Sequence, residues 1–377
     1  MLNFTNWFRK TYQVLNRIEI SQSALLRNYR KLSTTNQRLA IAPVLKSNAY
    51  GHGLEIVGKI LDKESCPFYC LDSLHEAYAL HKCGSETPIL IMGYINPKNL
   101  KVKKLPFQFA VYDLDFLEAL NKYQQGAKVH IFVDTGMCRE GVSLVDLPKF
   151  LEAAKKLKHI QVVGLMSHFA SASSEKSPLF RNQLTNFKKA KEIVKKTGLN
   201  PKWIHIGASE VISHQKVRNQ VANISNLVRI GKELYGITWN TELELSPVMK
   251  LLTHISQIKQ LKRGDLVGYD GTLKATRNLT AAILPIGYYD GVDRRLSNKG
   301  CVTINGVVCP IIGRVSMNIT TVDTTQVRNP FVGQEVVVYS DNPSDPNAIR
   351  QVAQLVETVA SEILCREALS TRRVVTP

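Results

Sequence analysis

Lys46 stands at the end of an apolar run and is followed by the polar, glycine-flanked segment Ser47-Asn48-Ala49-Tyr50-Gly51-His52-Gly53. The run before it, Leu39 to Leu45, contains Pro43 and otherwise only aliphatic residues, so it reads as a buried strand that delivers one amine to a mouth. Burial disfavours an ammonium, and a neutral amine can condense with an aldehyde or take a proton from carbon. A solvated lysine at a strand end is the plainer reading of the same residues.

Such a lysine needs a frame, and the order of elements supplies one. After a short strand at Arg17 to Ile20 and a helix with Ala24, Leu25, Tyr29 and Leu32 on one side, eight strand-like segments recur, most followed by a helix or loop. They are Leu39 to Lys46, Pro67 to Asp72, Pro88 to Ile95, Phe107 to Asp113, Lys128 to Asp134, Ile160 to Phe169, Trp203 to Ser209 and Asn226 to Gly231. Eight βα units in a row predict an α/β fold, a (β/α)8 TIM barrel over 1-245. From about Ser246 the pattern changes to strands, with Asn305-Gly306 as a type I′ hairpin signal, which predicts a mainly-β C-terminal domain over 246-377. Its strands are expected at Val248 to Leu261, Leu279 to Ile286 and Gln334 to Tyr339. A helix should follow, with Ile349, Val352, Val356, Val359, Ala360 and Ile363 on one face.

In a barrel, side chains at the carboxyl ends of the strands converge on one face. Those positions hold Lys46 and Tyr50, the loop Asp134-Thr135-Gly136-Met137-Cys138-Arg139, then Ser167-His168, His205 and Ser209, and Arg229 before Gly231. The Ser209 hydroxyl and the Gly231 amide suit a phosphate at the seventh and eighth loops. Singly, each residue has an ordinary explanation: Asp134 capping a turn, His168 and His205 as satisfied core histidines, Arg229 in a structural ion pair.

The matched set resembles the alanine racemases, fold-type III pyridoxal phosphate enzymes. Their lysine loop, DTGMxR loop, THF-like step, HxxxS step, RxGxxLYG step, VSYG, PIGYxDG and GRxxMD steps are similar, in order, to segments of this chain. Those segments are Lys46, Asp134 to Arg139, Ser167-His168-Phe169, His205 to Ser209, Arg229 to Gly236, Val267-Gly268-Tyr269, Pro285 to Gly291, and Gly313 to Asn318. The resemblance spans about Arg17 to Arg373. It implies pyridoxal 5'-phosphate as cofactor, held covalently by Lys46, which also serves as base on one face of the substrate α-carbon. Tyr269 would serve the opposite face, contributed by the partner in a homodimer with shared sites. Two bases flanking a planar carbanion are the minimum for racemisation. The same resemblance gives Tyr50, Ser209 and the Gly231 amide the phosphate, and Arg229 the pyridine nitrogen. His168 and His205 would support the ring and the arginine, and Arg139 would reach the phenolic oxygen or the substrate carboxylate. Tyr288 would act as a gate, and Met317 would bring a backbone amide to the carboxylate. A guanidinium, which keeps its proton, leaves the pyridine nitrogen neutral, and that favours return of the proton over decarboxylation or transamination.

Three residues depart from the family pattern: Phe132 where many relatives have a lysine whose carbamate orients the arginine, Glu140 in place of an apolar residue, and Asn318 in place of aspartate. They leave open what holds Arg139 and which amino acid is used. The resemblance therefore implies racemisation of L- and D-alanine, supplying D-alanine for peptidoglycan. The other readings are a racemase of serine, lysine or a broad range of amino acids, and a non-catalytic pyridoxal phosphate-binding protein whose basic surface contacts nucleic acid. Tyr269 and the complete second domain argue against a carrier, which needs no opposite-face base.

Bulk composition restricts the setting. The 44% hydrophobic and 21% charged content is that of a globular protein, and no apolar run approaches the ~18 residues of a membrane span. Met1 to Gln13 mixes polar and basic residues into its apolar ones, so no secretory signal is expected and the reading is cytoplasmic. The seven cysteines match neither a zinc pattern nor a CxxC pair, so no metal is expected. The net charge of +18 is spread through amphipathic helices, whose solvated faces explain it without nucleic acid or membrane as partner.

Overall fold

A computed structural model describes residues 14–238 and 240–377. The signal-free reading of Met1 to Gln13 lies outside the described residues. The chain divides into two units, one covering Gln22–Ser246 and the other Pro247–Pro377 together with residues 14–21.

Strand β1 (Arg17–Ser21) belongs to the second unit. The first unit carries β2 (Ala40–Pro43), β3 (Tyr69–Leu71), β4 (Ile89–Ile91), β5 (Gln108–Val111), β6 (Ala127–Phe132), β7 (Ile160–Met166), β8 (Trp203–His205) and β9 (Leu227–Ile230). Strands β3 to β8 pair in parallel in sequence order, and β2 pairs in parallel with β9. The bridges Val44 to Cys70 and Gly207 to Val228 join the two sets, so the eight strands close into a barrel. Each of the eight expected strands is present. The barrel begins at Gln22, however, and the expected 1-245 division is corrected at its start, because β1 pairs with strands of the other unit.

The strands are short and buried, and the interior is packed by Ala42, Val44, Phe68, Cys70, Leu90, Ala110, Phe132 and Met166. Outer helices are cut to length by their caps. Ser73 and Glu76 form a capping box at the start of Leu74–Lys82, and Asp113 and Ser177 cap Leu114–Tyr123 and Pro178–Lys196.

The second unit contains β10 (Met249–His254), β11 (Gln257–Leu261), β12 (Leu266–Val267), β13 (Leu273–Lys274), β14 (Leu279–Leu284), β15 (Cys301–Ile304), β16 (Val307–Pro310), β17 (Thr320–Asp323), β18 (Glu335–Tyr339) and β19 (Arg372–Thr376). Its larger sheet runs β16-β15-β18-β10-β1-β19 and its smaller one β11-β14-β17. Asn305 and Gly306 take φ of +47° and +76°, as the type I′ turn between β15 and β16 requires. The single strand expected over Val248 to Leu261 is two. At Ile255 and Ser256 the backbone N–H groups bond first to Gln334 O and then to Ile283 O, so the chain switches sheets there. The single helix expected near the C-terminus is also two, Ile349–Leu355 and Ala360–Cys365. Glu357 between them takes φ +56°, and Val359, expected on the buried face, is exposed.

Candidate active site at the barrel mouth

Lys46 follows β2, and the segment after it is a tight left-handed turn where a plain polar loop was expected. Ser47, Asn48, Ala49 and Tyr50 all have φ between +52° and +56°. Each such L-residue costs about 1–2 kcal/mol, so the turn persists only because its surroundings hold it. Asn48 Oδ1 accepts the Leu54 N–H at 2.8 Å, Glu76 Oε1 accepts the Asn48 N–H at 3.2 Å, and the buried His52 ring bonds back to Ala49 O at 3.0 Å. Tyr235 clamps the same segment, with its ring stacked 4.2 Å from His52 and its hydroxyl donating to Val44 O at 3.1 Å. The Lys46 side chain is 39% exposed and its Nζ lies 3.7 Å from Asp72 Oδ1, so this amine is less withdrawn from water than its apolar approach suggested.

Around the mouth the next strands deliver Ser209, Gly231, Arg229 and the histidines. The Gly231 N–H donates to Ser209 Oγ at 2.9 Å. A Cβ on Gly231 would stand 2.4 Å from Tyr50 Oη, so the glycine is what lets the Tyr50 hydroxyl reach this corner. Arg229 is buried, and its two amino groups are directed: Nη2 to Ser167 O at 2.6 Å and His168 Nδ1 at 3.1 Å, Nη1 to His205 Nδ1 at 2.6 Å and His205 O at 3.3 Å. The fixed fork of a guanidinium suits this set of four acceptors. Burial lowers the Arg229 pKa to about 10, which still leaves it cationic at neutral pH. Burial, reinforced by Arg229, pushes His168 down to about 3 and His205 well below its ordinary value, so both rings are neutral. His168 and His205 are thus satisfied by Arg229 itself.

Arg139 lies on the loop after β6, close enough for its charge to bear on His168 and Arg229. Its Nε donates to Glu140 Oε2 at 2.6 Å, while Phe132 is packed in the barrel core. Asp134 caps its own loop, its Oδ1 accepting the N–H groups of Gly136, Met137 and Cys138.

Tyr269, Tyr288 and Met317 belong to the second unit and gather in one loop cluster there. The Tyr288 N–H donates to Ser316 O and the Tyr289 N–H to Met317 O. Gly287 is crossed so closely by that backbone that a Cβ would meet Ser316 O at 2.2 Å, and a Cβ on Gly268 would meet Arg314 N at 3.1 Å. Asn318 donates to Asp290 Oδ2, which also accepts the Gly287 N–H. Tyr269, Tyr288, Tyr289, Met317 and Ile319 are all exposed.

The description "Alanine racemase, N-terminal domain" matches residues 20–238, and "Alanine racemase, C-terminal domain" matches residues 248–375. The chain belongs to the alanine racemase family. Alanine racemase 2 of Caldanaerobacter subterraneus subsp. tengcongensis is 31% identical to it over 93% of this chain and 92% of that protein. The alanine racemase of Sorangium cellulosum is 31% identical over 92% of this chain and 95% of its own length. Among solved structures, alanine racemase of Clostridium difficile 630 superposes with a TM-score of 0.89 at 27% identity, covering 97% of each chain. The Bacillus anthracis alanine racemase with bound L-Ala-P gives 0.87 at 26% identity, covering 97% of this chain and 96% of that one.

Three residues of this family member's barrel went unnoticed in the sequence. Glu233, 1% exposed, lies under the Ser209 corner and accepts from Ser213 Oγ at 3.3 Å, and burial raises its carboxyl pKa. His130 and Gln108 lie behind His205. The signal for His130 was its strand parity, since period-two alternation puts it on the same inward side as Phe132.

Proposed function

We propose that the protein interconverts L- and D-alanine with pyridoxal 5'-phosphate as cofactor, and so supplies D-alanine to peptidoglycan. The observation that carries this reading is the buried Arg229 guanidinium, its two amino groups held by Ser167, His168 and His205, beside the Tyr50, Ser209 and Gly231 corner. The residues fit the cofactor. A corner that a Cβ would fill offers two hydroxyls and a backbone amide to a phosphate, and Lys46 on its left-handed turn offers an amine to the aldehyde. When bound, the cofactor supplies an electron sink for the pair left at the α-carbon. Arg229, locked by His205, His168 and Ser167 O, cannot hand a proton to the ring nitrogen, which keeps that sink shallow and favours return of the proton.

Lys46 would hold the cofactor and move the α-proton on one face. Tyr269, exposed on the second unit, would move it on the other. Arg139 would bind the carboxylate or the phenolic oxygen, with Glu140 in place of the carbamate as its anionic partner. Tyr288 would limit entry, and the Met317 amide would face the carboxylate. The exposed cluster around Tyr269 supports a homodimer in which each copy completes the other's site, because an apolar loop group of this kind is commonly covered by a partner. The seven free thiols and the absence, among the described residues, of any helix long and apolar enough to cross a membrane support a cytoplasmic setting.

The Arg139 to Glu140 pair favours one second reading, a racemase of another amino acid, since it diverts a donor from the substrate carboxylate. Deuterium incorporation at the α-carbon in D2O, with chiral analysis across alanine, serine and lysine, tests both readings. Equal L- and D-alanine from either enantiomer is expected, and no exchange with any amino acid by the cofactor-loaded protein would end the proposal.

A further inference from the structure

The polar chain on the far side of Arg229 runs through the barrel. His205 Nδ1 receives Arg229 Nη1, His205 Nε2 meets His130 Nδ1 at 2.9 Å, and His130 Nε2 meets Gln108 Oε1 at 2.8 Å. Donor logic fixes every link. A guanidinium has no acceptor, so His205 Nδ1 must carry the lone pair, and a neutral His205 then carries its proton on Nε2. That proton points at His130 Nδ1, which must in turn be bare, so His130 donates from Nε2 to the Gln108 carbonyl oxygen. All four side chains are buried, with Gln108 the least so at 9% exposure.

The backbone makes room for this column. A Cβ on Gly164 of β7 would stand 2.0 Å from His130 Nδ1, so that position must be glycine for the ring to lie where it does. The β6 to β7 pairing also shifts register at Val129 and His130, a local irregularity that re-aims a side chain. Phe68 packs against both imidazoles, with ring centroids 5.3 Å from His130 and 6.0 Å from His205. The column ends at the first residue of β5, beside a cleft on the amino-terminal face that Gln124 and Lys128 also line.

We propose that His130 and Gln108 are positioning residues for Arg229: they complete a one-way hydrogen-bond column whose neutral amide terminus holds both imidazoles uncharged and keeps His205 Nδ1 available as the acceptor of the guanidinium. The proposal deepens the racemase reading and rests on it for the role of Arg229. Its reasoning turns on one atom. A carboxylate in place of the Gln108 amide would draw a second proton onto His130. Both nitrogens of that ring would then be donors, His205 Nε2 would have to accept, and its proton would move to Nδ1, facing the Arg229 donor. Arg229 would lose its acceptor at 2.6 Å. Burial already holds His130 down to about 3 and His205 well below its ordinary value, in keeping with neutral rings.

The test is Gln108→Glu, with Gln108→Met as a control that removes the acceptor without adding charge. Ring-nitrogen NMR of the purified protein, with and without pyridoxal phosphate, reads the tautomers. The unsubstituted protein should show both rings neutral and protonated at Nε2 at pH 7. Gln108→Glu should show a doubly protonated His130 and an Nδ1-protonated His205. Its loaded form should lose at least about tenfold in kcat with little change in KM, as misplacement of a catalytic-site group does. Gln108→Met should keep both rings neutral but lose the acceptor of His130 Nε2–H, shifting the His130 ring-nitrogen signals, with a smaller loss of kcat than Gln108→Glu; unchanged His130 signals would deny Gln108 its positioning role. An Nδ1-protonated His205 in the unsubstituted protein, or unchanged ring signals in a folded Gln108→Glu, would overturn the column. The unsubstituted protein alone can decide against it if the glutamate variant does not fold. Absence of racemase activity would count against the functional reading and leave the ring assignments standing.

Discussion

Gly231→Ala probes the corner that the phosphate is proposed to occupy. Gly231 has φ −106°, outside the left-handed region, so the effect of alanine comes through space and not through a positive φ. Its Cβ would lie 2.4 Å from Tyr50 Oη, 2.8 Å from Cζ and 3.2 Å from Cε2. Ordinary contact begins at about 3.5 Å, so the Tyr50 ring must move by about 1 Å. Tyr50 packs 5.3 Å from Tyr235 and sits on the strained left-handed turn, which limits where it can go. Overpacking of this kind typically costs about 1–3 kcal/mol of stability. Displacing a hydroxyl from an anion costs a further charge-assisted hydrogen bond, about 1.5–3 kcal/mol, or roughly 10- to 150-fold in cofactor Kd. Fluorescence titration with pyridoxal phosphate and a thermal melt of the unloaded protein measure the two effects separately. Tyr50→Phe in the same background removes the atom that collides first, so the double variant should lose less than the two single losses added together. Unchanged Kd and Tm in Gly231→Ala, or strict additivity in the double variant, would refute the reasoning.

Lys46→Ala should abolish both the visible absorbance of the cofactor-loaded protein and its turnover; because the side chain is partly exposed, the unloaded melt should change by no more than about 0.5 kcal/mol. Tyr269→Phe should keep the bound cofactor and α-proton exchange from D-alanine while exchange from L-alanine falls by about 10²–10⁴-fold; equal exchange from both enantiomers would remove Tyr269 from its assigned face. Glu367 is 4% exposed, neither carboxylate oxygen has a hydrogen-bond partner among the described residues, and burial pushes its pKa up to about 8 from the ordinary 4.5. The folded state therefore holds a proton that the unfolded state has lost, and stability drains away as pH rises from 4.5 to 8. Glu367→Gln should leave stability unchanged below pH 4.5 and raise it by roughly 3 kcal/mol at pH 7, from about 1.36 kcal/mol per unit, which denaturation at several pH values would show.

Periodicity and turn chemistry made the barrel legible. Seven of the eight strands lie within the expected segments and β6 starts one residue early, at Ala127, because a strand buried on both faces leaves a largely apolar run. Residues whose role depends on partners distant in sequence were harder to see. Nothing in Arg17 to Ile20 reveals that β1 pairs with Met249–His254 and Arg372–Thr376 in place of the barrel strands. A buried histidine looks the same in sequence whether it packs alone or, like His130, joins a column with Gln108 and His205. The left-handed turn after Lys46 was hidden because Ser47, Asn48, Ala49 and Tyr50 carry no glycine to announce it, and the conformation is imposed by Tyr235, His52 and Glu76. The residues of the candidate site were found from ordered motifs, whereas the ion pair between Glu140 and Arg139 emerged only from the 2.6 Å contact between them.

The position of β1 also bears on how the chain is assembled during synthesis. Its two neighbours in the sheet come from beyond residue 248, one antiparallel and one parallel, so β1 must wait while the ribosome makes the whole intervening barrel. Strand pairings this far apart carry a large loop-closure cost and form slowly. The barrel can mature first, leaving Arg17–Ser21 as a tethered strand that docks last and joins Arg372–Thr376 in one sheet. Protease treatment of arrested nascent chains should therefore find the barrel protected while β1 is still cut.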